Sequence, residues 1–271
     1  LWNILTGRAL APPLPTGHVE VWSVAVLPNG DWVTGGREGH IQWWHQGRPL
    51  GLPVPSEQGA VSALVALPSG EVISGGDDGS MRRWSKNRQP LELTSSQHSS
   101  VFTLIARRNG LILSGGSERL AAGKNNFIRV WAAYPHLINR VQPNQLESLS
   151  IIQLCNGDLI SGGSDGALHH WRDGTKLDRP ILTKHRRVYG LAILPSGDLV
   201  SGGEDGSFQI WRNGQRVSEA HTHQGGVTSL LTGADGSLFS GGRDGTIQHW
   251  SLNDYPRLKS SIKTPHGAVW A

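Results

Sequence analysis

Serine, histidine and aspartate recur together along this sequence in the combination that hydrolases use for nucleophilic catalysis. One such set is His185, Ser201 and Asp205. In a catalytic triad the histidine activates a serine nucleophile and the acid orients the imidazole. Here, however, similar sets return at regular intervals, the serine lies inside a strand pattern, and no Gly-x-Ser-x-Gly elbow accompanies it. We therefore interpret the sets as structural and predict that the chain is not an enzyme.

Other residues of catalytic or ligand-binding type also have a structural explanation. Acids that could pair in a glycosidase occur at Asp78, Asp165, Asp205 and Asp244, but each precedes a glycine in a tight turn. The His169-His170 pair and His221-x-His223 could bind a metal, yet neighbouring strand residues point to opposite faces. Gly123-Lys124-Asn125 resembles the end of a phosphate loop that lacks its first glycine. We predict no metal and no cofactor.

Six segments share one pattern, and a tryptophan closes each of them. The pattern is an apolar run, Pro-x-Gly or a similar turn, an apolar pair, Ser-Gly-Gly, Asp-Gly and x-x-Trp. The closing residues are Trp44, Trp84, Trp131, Trp171, Trp211 and Trp250. A period of about 40 residues is typical of β-propeller blades. The predicted blade units are 16–55, 56–95, 96–142, 143–182, 183–222 and 223–262.

Each unit is predicted to contain four short strands and almost no helix. The first strand, at Val21–Leu27 and its counterparts, is nearly all apolar, as expected for a strand buried on both faces. Asp205-Gly206 and its equivalents form a tight hairpin between the second and third strands. No segment has a convincing 3.6-residue apolar period, the sign of an amphipathic helix.

These residues resemble the WD-repeat (WD40) family over almost the whole chain, although no closing tryptophan is followed by Asp. The resemblance implies a hydrogen-bonded tetrad in each blade, formed by His185, Ser201, Asp205 and Trp211 in the fifth unit. The first unit offers His18, Thr34, Glu38 and Trp44, and the third offers His98, Ser114, Asn125 and Trp131. Gln58 and Gln145 replace the histidine in the second and fourth units, and His223 or Gln224 occupies its place in the sixth.

The two chain ends each resemble part of a further blade. Leu1-Trp2 resembles the end of a third strand, residues 8–15 an outer strand, and residues 266–271 the start of a first strand. The predicted fold is therefore an all-β, seven-bladed propeller of four-stranded antiparallel blades. Six blades are complete, and residues 1–15 and 263–271 form an incomplete seventh. We predict a single domain over 1–271, within a longer polypeptide that carries other domains.

The composition of the chain limits the kinds of molecule that it is expected to bind. The only cysteine, Cys155, excludes an internal disulfide framework and favours a reducing, cytoplasmic location. No apolar run approaches the roughly 20 residues of a membrane helix. The formal net charge of +4 is mild, and the basic residues are scattered rather than gathered in one stripe. We therefore predict that the chain binds neither a membrane nor nucleic acid.

The family resemblance implies that partners bind at one edge of the blades, where the loop before the first strand meets the Asp-Gly turn. The predicted binding residues on this top face are Trp22, Arg37, Phe102, Arg187, Tyr189, Glu204, Arg243 and Trp270. Large aromatic residues are typical binding anchors, although packing between blades would explain them equally well. The mixed charges favour a protein or peptide over a polyanion. The insertion Ser117–Asn125 is either a contact loop or a tolerated insertion.

The sequence thus predicts a non-catalytic protein-interaction scaffold with a protein or peptide partner. The alternative is a carbohydrate-binding or enzymatic propeller that stacks sugars on its aromatic residues. Unpaired carboxylates near Trp22 and Trp270 would favour the alternative, whereas carboxylates held in turns would count against it.

Overall fold

The computed structural model describes most of the chain as β-strands and turns. The described residues are 18–107, 110–117, 128–132, 136–141, 148–172, 175–177, 179–222, 225–233, 235–253, 255–264 and 268–269, with two short strands at 2–3 and 8–9. The predicted scarcity of helix is confirmed for these residues, which contain no helix, and hence none able to cross a membrane. Contacts divide the chain into two compact units, Leu14–Ile151 and Leu1–Pro13 with Ile152–Ala271.

The unit Leu14–Ile151 contains three antiparallel sheets, each built from consecutive strands. The first blade comprises β3 (Val21–Val26), β4 (Trp32–Gly36), β5 (His40–His45), β6 (Arg48–Pro49) and β7 (Val54–Pro55), where both β6 and β7 pair with β5. The second comprises β8 (Val61–Ala66), β9 (Val72–Gly76), β10 (Ser80–Trp84) and β11 (Pro90–Ser95). The third comprises β12 (Ser100–Ala106), β13 (Ile112–Ser117), β14 (Ile128–Ala132) and β15 (His136–Val141).

The other unit is built in the same way from the later repeats. The fourth blade comprises β16 (Ser148–Gln153), β17 (Leu159–Gly163), β18 (Ala167–Arg172), β19 (Thr175–Lys176) and β20 (Ile181–Leu182). The fifth comprises β21 (Val188–Ile193), β22 (Leu199–Gly203), β23 (Ser207–Arg212) and β24 (Gln215–His221). The sixth comprises β25 (Val227–Thr232), β26 (Leu238–Gly242), β27 (Thr246–Ser251) and β28 (Arg257–Lys263). A separate two-stranded sheet pairs β1 (Trp2–Asn3) with β2 (Arg8–Ala9).

The first glycine of the Gly-Gly pair is explained in several repeats by the close approach of the next blade. A Cβ added to Gly202 would lie 2.5 Å from Cγ1 of Val227, the first residue of the next blade's inner strand. Gly75 stands in the same relation to Val101, also at 2.5 Å. Only glycine allows the second strand of one blade to lie this close to the first strand of its neighbour.

The hydrophobic core lies between consecutive blades. All six closing tryptophans are buried. In the first two blades, Trp43 meets Trp84 edge to face at 5.4 Å, and in the last two, Phe208 meets Trp250 at 5.1 Å. Within each unit, a blade therefore buries its apolar face against the next, as expected of stacked repeats.

The prediction that the first strands are buried on both faces is wrong in part. Val26 is 68% exposed and Val24 43% exposed, although Ala25 between them is buried. Leu231 of the sixth blade is likewise exposed. Successive side chains of a strand point to opposite faces, so the exposed Val24 and Val26 lie on the face opposite that of the buried Ala25.

The prediction of seven blades, with an incomplete seventh formed by the two chain ends, is also wrong, because the structure has six blades. Trp2–Asn3 pairs with Arg8–Ala9 as a two-stranded sheet of two-residue strands, and no further described strand joins it. At the other end, Ala268 and Val269 belong to no strand. Val269 instead donates its N–H to Gly242 O at 3.0 Å, in the sixth blade. An isolated two-stranded ribbon does not make a blade.

Candidate functional site

The fifth blade forms the predicted tetrad as a chain of hydrogen bonds. Trp211 Nε1 donates to Ser201 Oγ at 2.9 Å, and Ser201 Oγ lies 3.0 Å from His185 Nε2. His185 Nδ1 lies 2.7 Å from Asp205 Oδ1. Burial raises the pKa of Asp205, but hydrogen bonds from His185 and Ser207 outweigh it and lower the value to about 2. The carboxylate therefore accepts the Nδ1 proton, which leaves Nε2 to accept the serine proton.

This geometry is not that of an accessible nucleophile. Ser201 is 0% exposed, and its oxygen already accepts the indole N–H of Trp211. The first blade repeats the arrangement, where Trp44 donates to Thr34 Oγ1 at 3.0 Å and His18 lies between Thr34 and Glu38. The structural interpretation of these sets is confirmed for both blades.

The second blade keeps the tetrad's position but changes its bonds. Gln58 Oε1 accepts from Ser74 Oγ, and Gln58 Nε2 donates to Ser80 O at 3.0 Å. Trp84 Nε1 donates to Ser74 Oγ at 2.8 Å, whereas Asp78 accepts from the backbone of its own turn and not from Gln58. An amide thus replaces the imidazole by bonding to the backbone, and the acid becomes a turn cap.

The third blade contains a hydrogen-bond partner of the tetrad histidine that the sequence analysis did not identify. Arg129 is 1% exposed, and its Nη1 lies 2.7 Å from His98 Nδ1, while Nη2 donates to Gln97 O at 3.2 Å. Burial, and then the charge of Arg129, lower the pKa of His98 to about 3. The neutral imidazole accepts from Arg129 and donates from Nε2 to Ser114, at 3.2 Å. The predicted Asn125 lies outside the described residues.

In the fourth and sixth blades the indole–serine bond is present, from Trp171 to Ser161 and from Trp250 to Ser240, both at 3.0 Å. Gln145, His223 and Gln224 lie outside the described residues. Asp165 accepts from the Ala167 backbone and from His169 Nε2, and Asp244 accepts from both the backbone and the hydroxyl of Thr246. The repeated carboxylates are therefore held in their turns.

The two adjacent histidines of the fourth blade have separate partners. His169 lies 2.8 Å from Asp165, and His170 lies 2.9 Å from Asp158. The described part of the chain contains no group of three histidine, cysteine or acidic side chains placed to hold a metal.

The top face, or rim, is the edge of the blades where the loop before each first strand meets the turn between the second and third strands. One backbone bond joins these two segments in several blades. The N–H of the residue before the turn acid donates to the carbonyl of the residue before the strand. The pairs are Arg37 to Glu20, Asp77 to Ala60, Glu204 to Arg187 and Arg243 to Gly226, at 3.0–3.1 Å.

In the unit with the later repeats, the rim brings together four predicted residues. Arg243 Nη2 donates to the Tyr189 hydroxyl at 3.0 Å, and its guanidinium carbon lies 5.5 Å from the centre of the Tyr189 ring. Arg187 is exposed beside the Glu204 turn. Glu204 Oε2 is buried and has no hydrogen-bond partner among the described residues. We name this set the Tyr189 cluster.

In the unit Leu14–Ile151, Glu20 joins two predicted residues that the sequence analysis did not connect. Trp22 Nε1 donates to Glu20 Oε2 at 2.9 Å, and Arg37 Nη1 lies 3.2 Å from Glu20 Oε1. Glu20 occupies the position equivalent to Arg187, immediately before the first strand, and that equivalence is visible in the repeat. Phe102 is half-buried in β12. Trp270 and residues 118–125 of the predicted insertion lie outside the described residues.

The construction of the blades matches that of known proteins. The WD40 family (WD domain, G-beta repeat) matches residues 12–45, 178–212 and 214–251. No curated protein sequence matches the chain. The WD40 β-propeller domain of Doa1 superposes with a TM-score of 0.80 at 19% identity, over 94% of this chain and 86% of that one.

Two further solved structures agree with this result. U3-55K has a TM-score of 0.79 at 16% identity, over 92% of this chain and 83% of that one. The WD40 repeats of RRP9 have a TM-score of 0.78 at 16% identity, over 92% and 82%. At these identities the likeness shows the fold alone, and the matches of the family model identify three WD40 repeats in the chain. The chain therefore contains WD40 repeats and has an all-β, WD40-type propeller fold.

Proposed function

We propose that this chain is a non-catalytic scaffold that binds a protein or peptide through its rim. WD40 propeller domains are typical of protein-interaction scaffolds, and the family is generally non-catalytic. The observation that carries the proposal is the Tyr189 cluster, where an aromatic ring, two arginines and a carboxylate whose Oε2 has no donor among the described residues lie at one edge. A cytoplasmic location and the presence of further domains stay predictions.

The Tyr189 cluster has the physical character of a binding anchor. The hydrogen bond and the ring contact from Arg243 hold Tyr189 from the neighbouring blade, so little side-chain entropy remains to be lost on binding. Tyrosine and arginine are also the residue types that contribute most often to binding hot spots. Glu204 Oε2 adds a buried acceptor that a donor from a partner would satisfy.

The rim of the unit Leu14–Ile151 carries the same types of side chain, namely an aromatic ring, an acid and an arginine. Glu20 holds Trp22 and Arg37 together in a half-exposed set of one ring, one anion and one cation. A surface that alternates charge in this way suits a protein or peptide better than a polyanion. The observations give no support to the sugar-binding or enzymatic alternative, since Glu20 is paired with Arg37 and the repeated aspartates are held in turns.

Site-specific crosslinking tests the proposal and identifies the partner in the same experiment. A photoreactive benzoylphenylalanine replaces Arg187 on the rim or Val217 on outer strand β24, and crosslinked proteins are identified by mass spectrometry. The Arg187 position should capture a partner that the Val217 position does not. Capture at Val217 alone would place binding away from the rim and contradict the proposal.

The captured partner is then titrated by calorimetry against two arginine variants. Arg243→Ala should weaken binding at least tenfold, or about 1.4 kcal/mol, because it releases Tyr189. The control is Arg216→Ala on the exposed outer strand β24, which should bind as the parent does. Equal affinity of all three folded proteins would contradict a role for the rim.

A further inference from the structure

A groove crosses the opposite ends of the first strands from the rim, within the unit Leu14–Ile151. Two adjoining cavities of about 400 and 290 Å³ share Leu27, Pro28 and Pro68 as lining residues. Trp43 and Leu50 line the larger cavity, and the smaller one extends to the third blade at Ala106 and Arg107. We name this feature the turn groove, since the turns at 27–31 and 67–71 form its walls.

The walls of the turn groove are held by their own backbone bonds. Leu27 N donates to Asp31 O at 2.7 Å, and Leu67 N donates to Glu71 O at 2.8 Å. The apolar lining remains open to solvent at Val26, which is 68% exposed. A preformed apolar groove that reaches across three blades matches the shape of an extended chain better than that of a compact ligand.

One end of the groove is cationic because of Lys86 and Arg88. Arg88 Nη1 donates to Leu50 O at 3.1 Å, which fixes its guanidinium beside the groove. A Cβ added to Gly70 would lie 3.8 Å from Lys86 Cγ, so the Lys86 stem runs along the second wall. Neither cation has a salt bridge within the described part of the chain. Asp31 lines the same cavity and feels the charge of Arg88, but its direct bonds are to His45 and Asn29.

The ion pairs around the equivalent turns of the other blades differ from those around the turn groove. In the fourth and fifth blades, the acid of the equivalent turn binds an arginine that follows the closing tryptophan, as in Asp158 with Arg172 and Asp198 with Arg212. In the second blade the equivalent acid, Glu71, binds Arg83 instead, with oxygens at 3.0 and 2.9 Å. Lys86 and Arg88 therefore influence Glu71 and Asp31 through their charge, but form no ion pair with either acid among the described residues.

We propose that the turn groove binds an extended acidic segment of a partner protein. An apolar side chain of that segment lies on Leu27, Pro28 and Pro68, and a neighbouring carboxylate pairs with Lys86 and Arg88. Arg107 lines the far end of the groove. Charge complementarity selects an acidic occupant, and the apolar lining supplies the contact area. This site is separate from the rim and does not depend on its function.

A displayed library of random peptides, selected on the intact chain, tests the proposal. Enriched peptides are labelled with a fluorophore, and their affinity is measured by fluorescence anisotropy. The test variant is Lys86→Glu with Arg88→Glu, and the control of equal charge change is Arg257→Glu with Lys259→Glu on the exposed strand β28. A third variant, Val26→Ser, probes the apolar contact without a change in charge.

The enriched peptides should contain Asp or Glu beside a large apolar residue. The Lys86/Arg88 variant should weaken their binding at least tenfold, Val26→Ser should weaken it several-fold, and the β28 control should change it less than twofold. Bound peptide should slow amide hydrogen exchange at 27–31 and 67–71. Enrichment of neutral or basic peptides, equal losses in the test and control variants, protection confined to the rim, or failure to enrich any groove-dependent peptide would each overturn the proposal.

Discussion

Replacing Ser201 by alanine would remove the central hydroxyl of the fifth blade's tetrad. That hydroxyl accepts from Trp211 Nε1 at 2.9 Å and donates to His185 Nε2 at 3.0 Å. Both partners are buried, so the substitution leaves an indole N–H and an imidazole nitrogen without their bond. An unsatisfied buried polar group costs about 1–3 kcal/mol, so the two groups together predict a loss of about 2–6 kcal/mol in the free energy of unfolding.

The assay is urea unfolding followed by tryptophan fluorescence, with a thermal melt beside it. The urea midpoint should fall while the slope is unchanged, since the substitution alters stability and not the surface exposed on unfolding. A loss of about 3 kcal/mol corresponds to a decrease in Tm of roughly 6–12 °C for a domain of this size.

Two controls separate the tetrad from general effects of substitution. Ser201→Thr should lose much less, because Thr34 occupies the same position in the first blade and bonds both Trp44 and His18. Ser196→Ala, in an exposed turn of the same blade, should change stability by less than about 0.5 kcal/mol. A Ser201→Ala loss below about 1 kcal/mol, or an equal loss in Ser201→Thr, would refute the reasoning.

Three further predictions concern pH and packing. The pKa of His98 is lowered to about 3, so the unfolded chain binds more protons below pH 6.5. Stability is therefore lost as the pH falls from 6.5, and His98→Gln should reduce that loss in urea midpoints measured at neutral pH and at about pH 5. The pKa of Asp205 is lowered from 3.8 to about 2, so its contribution is present above 3.8 and lost between these values. Asp205→Asn should flatten stability over that range and lower it at neutral pH, and an unchanged acid profile would contradict this. Gly202→Ala should cost about 1–3 kcal/mol by overpacking against Val227, and adding Val227→Ala should recover part of the loss in a double-mutant cycle.

Much of the fold was predictable because its signals are local. The Gly-Gly pair and the closing tryptophan recur at the blade period; the tryptophan is buried in all six blades, and the first glycine admits the next strand at Gly35, Gly75 and Gly202. The tetrads of the first and fifth blades were also predictable, since Trp211, Ser201 and Asp205 lie on one hairpin and His185 lies just before β21, the strand that pairs with that hairpin. Turn chemistry and strand register place such residues with little help from the rest of the molecule.

The candidate site was only partly predictable. The repeat places Arg37, Arg187, Glu204 and Arg243 at the rim, but the contact of Arg243 with Tyr189 joins two blades and has no local signal. Glu20 could have been found by its equivalence to Arg187. The binding role of these residues stays a prediction.

The sequence by itself determined the repeat, the strands of each blade, the identity of the packing tryptophans and the structural nature of the Ser–His–acid sets. Only the tertiary structure decided the number of blades, the pairing of buried Arg129 with His98, and the exposure of Val26 in the turn groove. The blade period and the turn residues could be recognised from the sequence because they involve residues that are close together in the chain. The number of blades, the Arg129–His98 contact and the exposure of Val26 depend on contacts between residues that are far apart in the chain. The sequence pattern of one repeat does not show which of its residues the neighbouring blade covers.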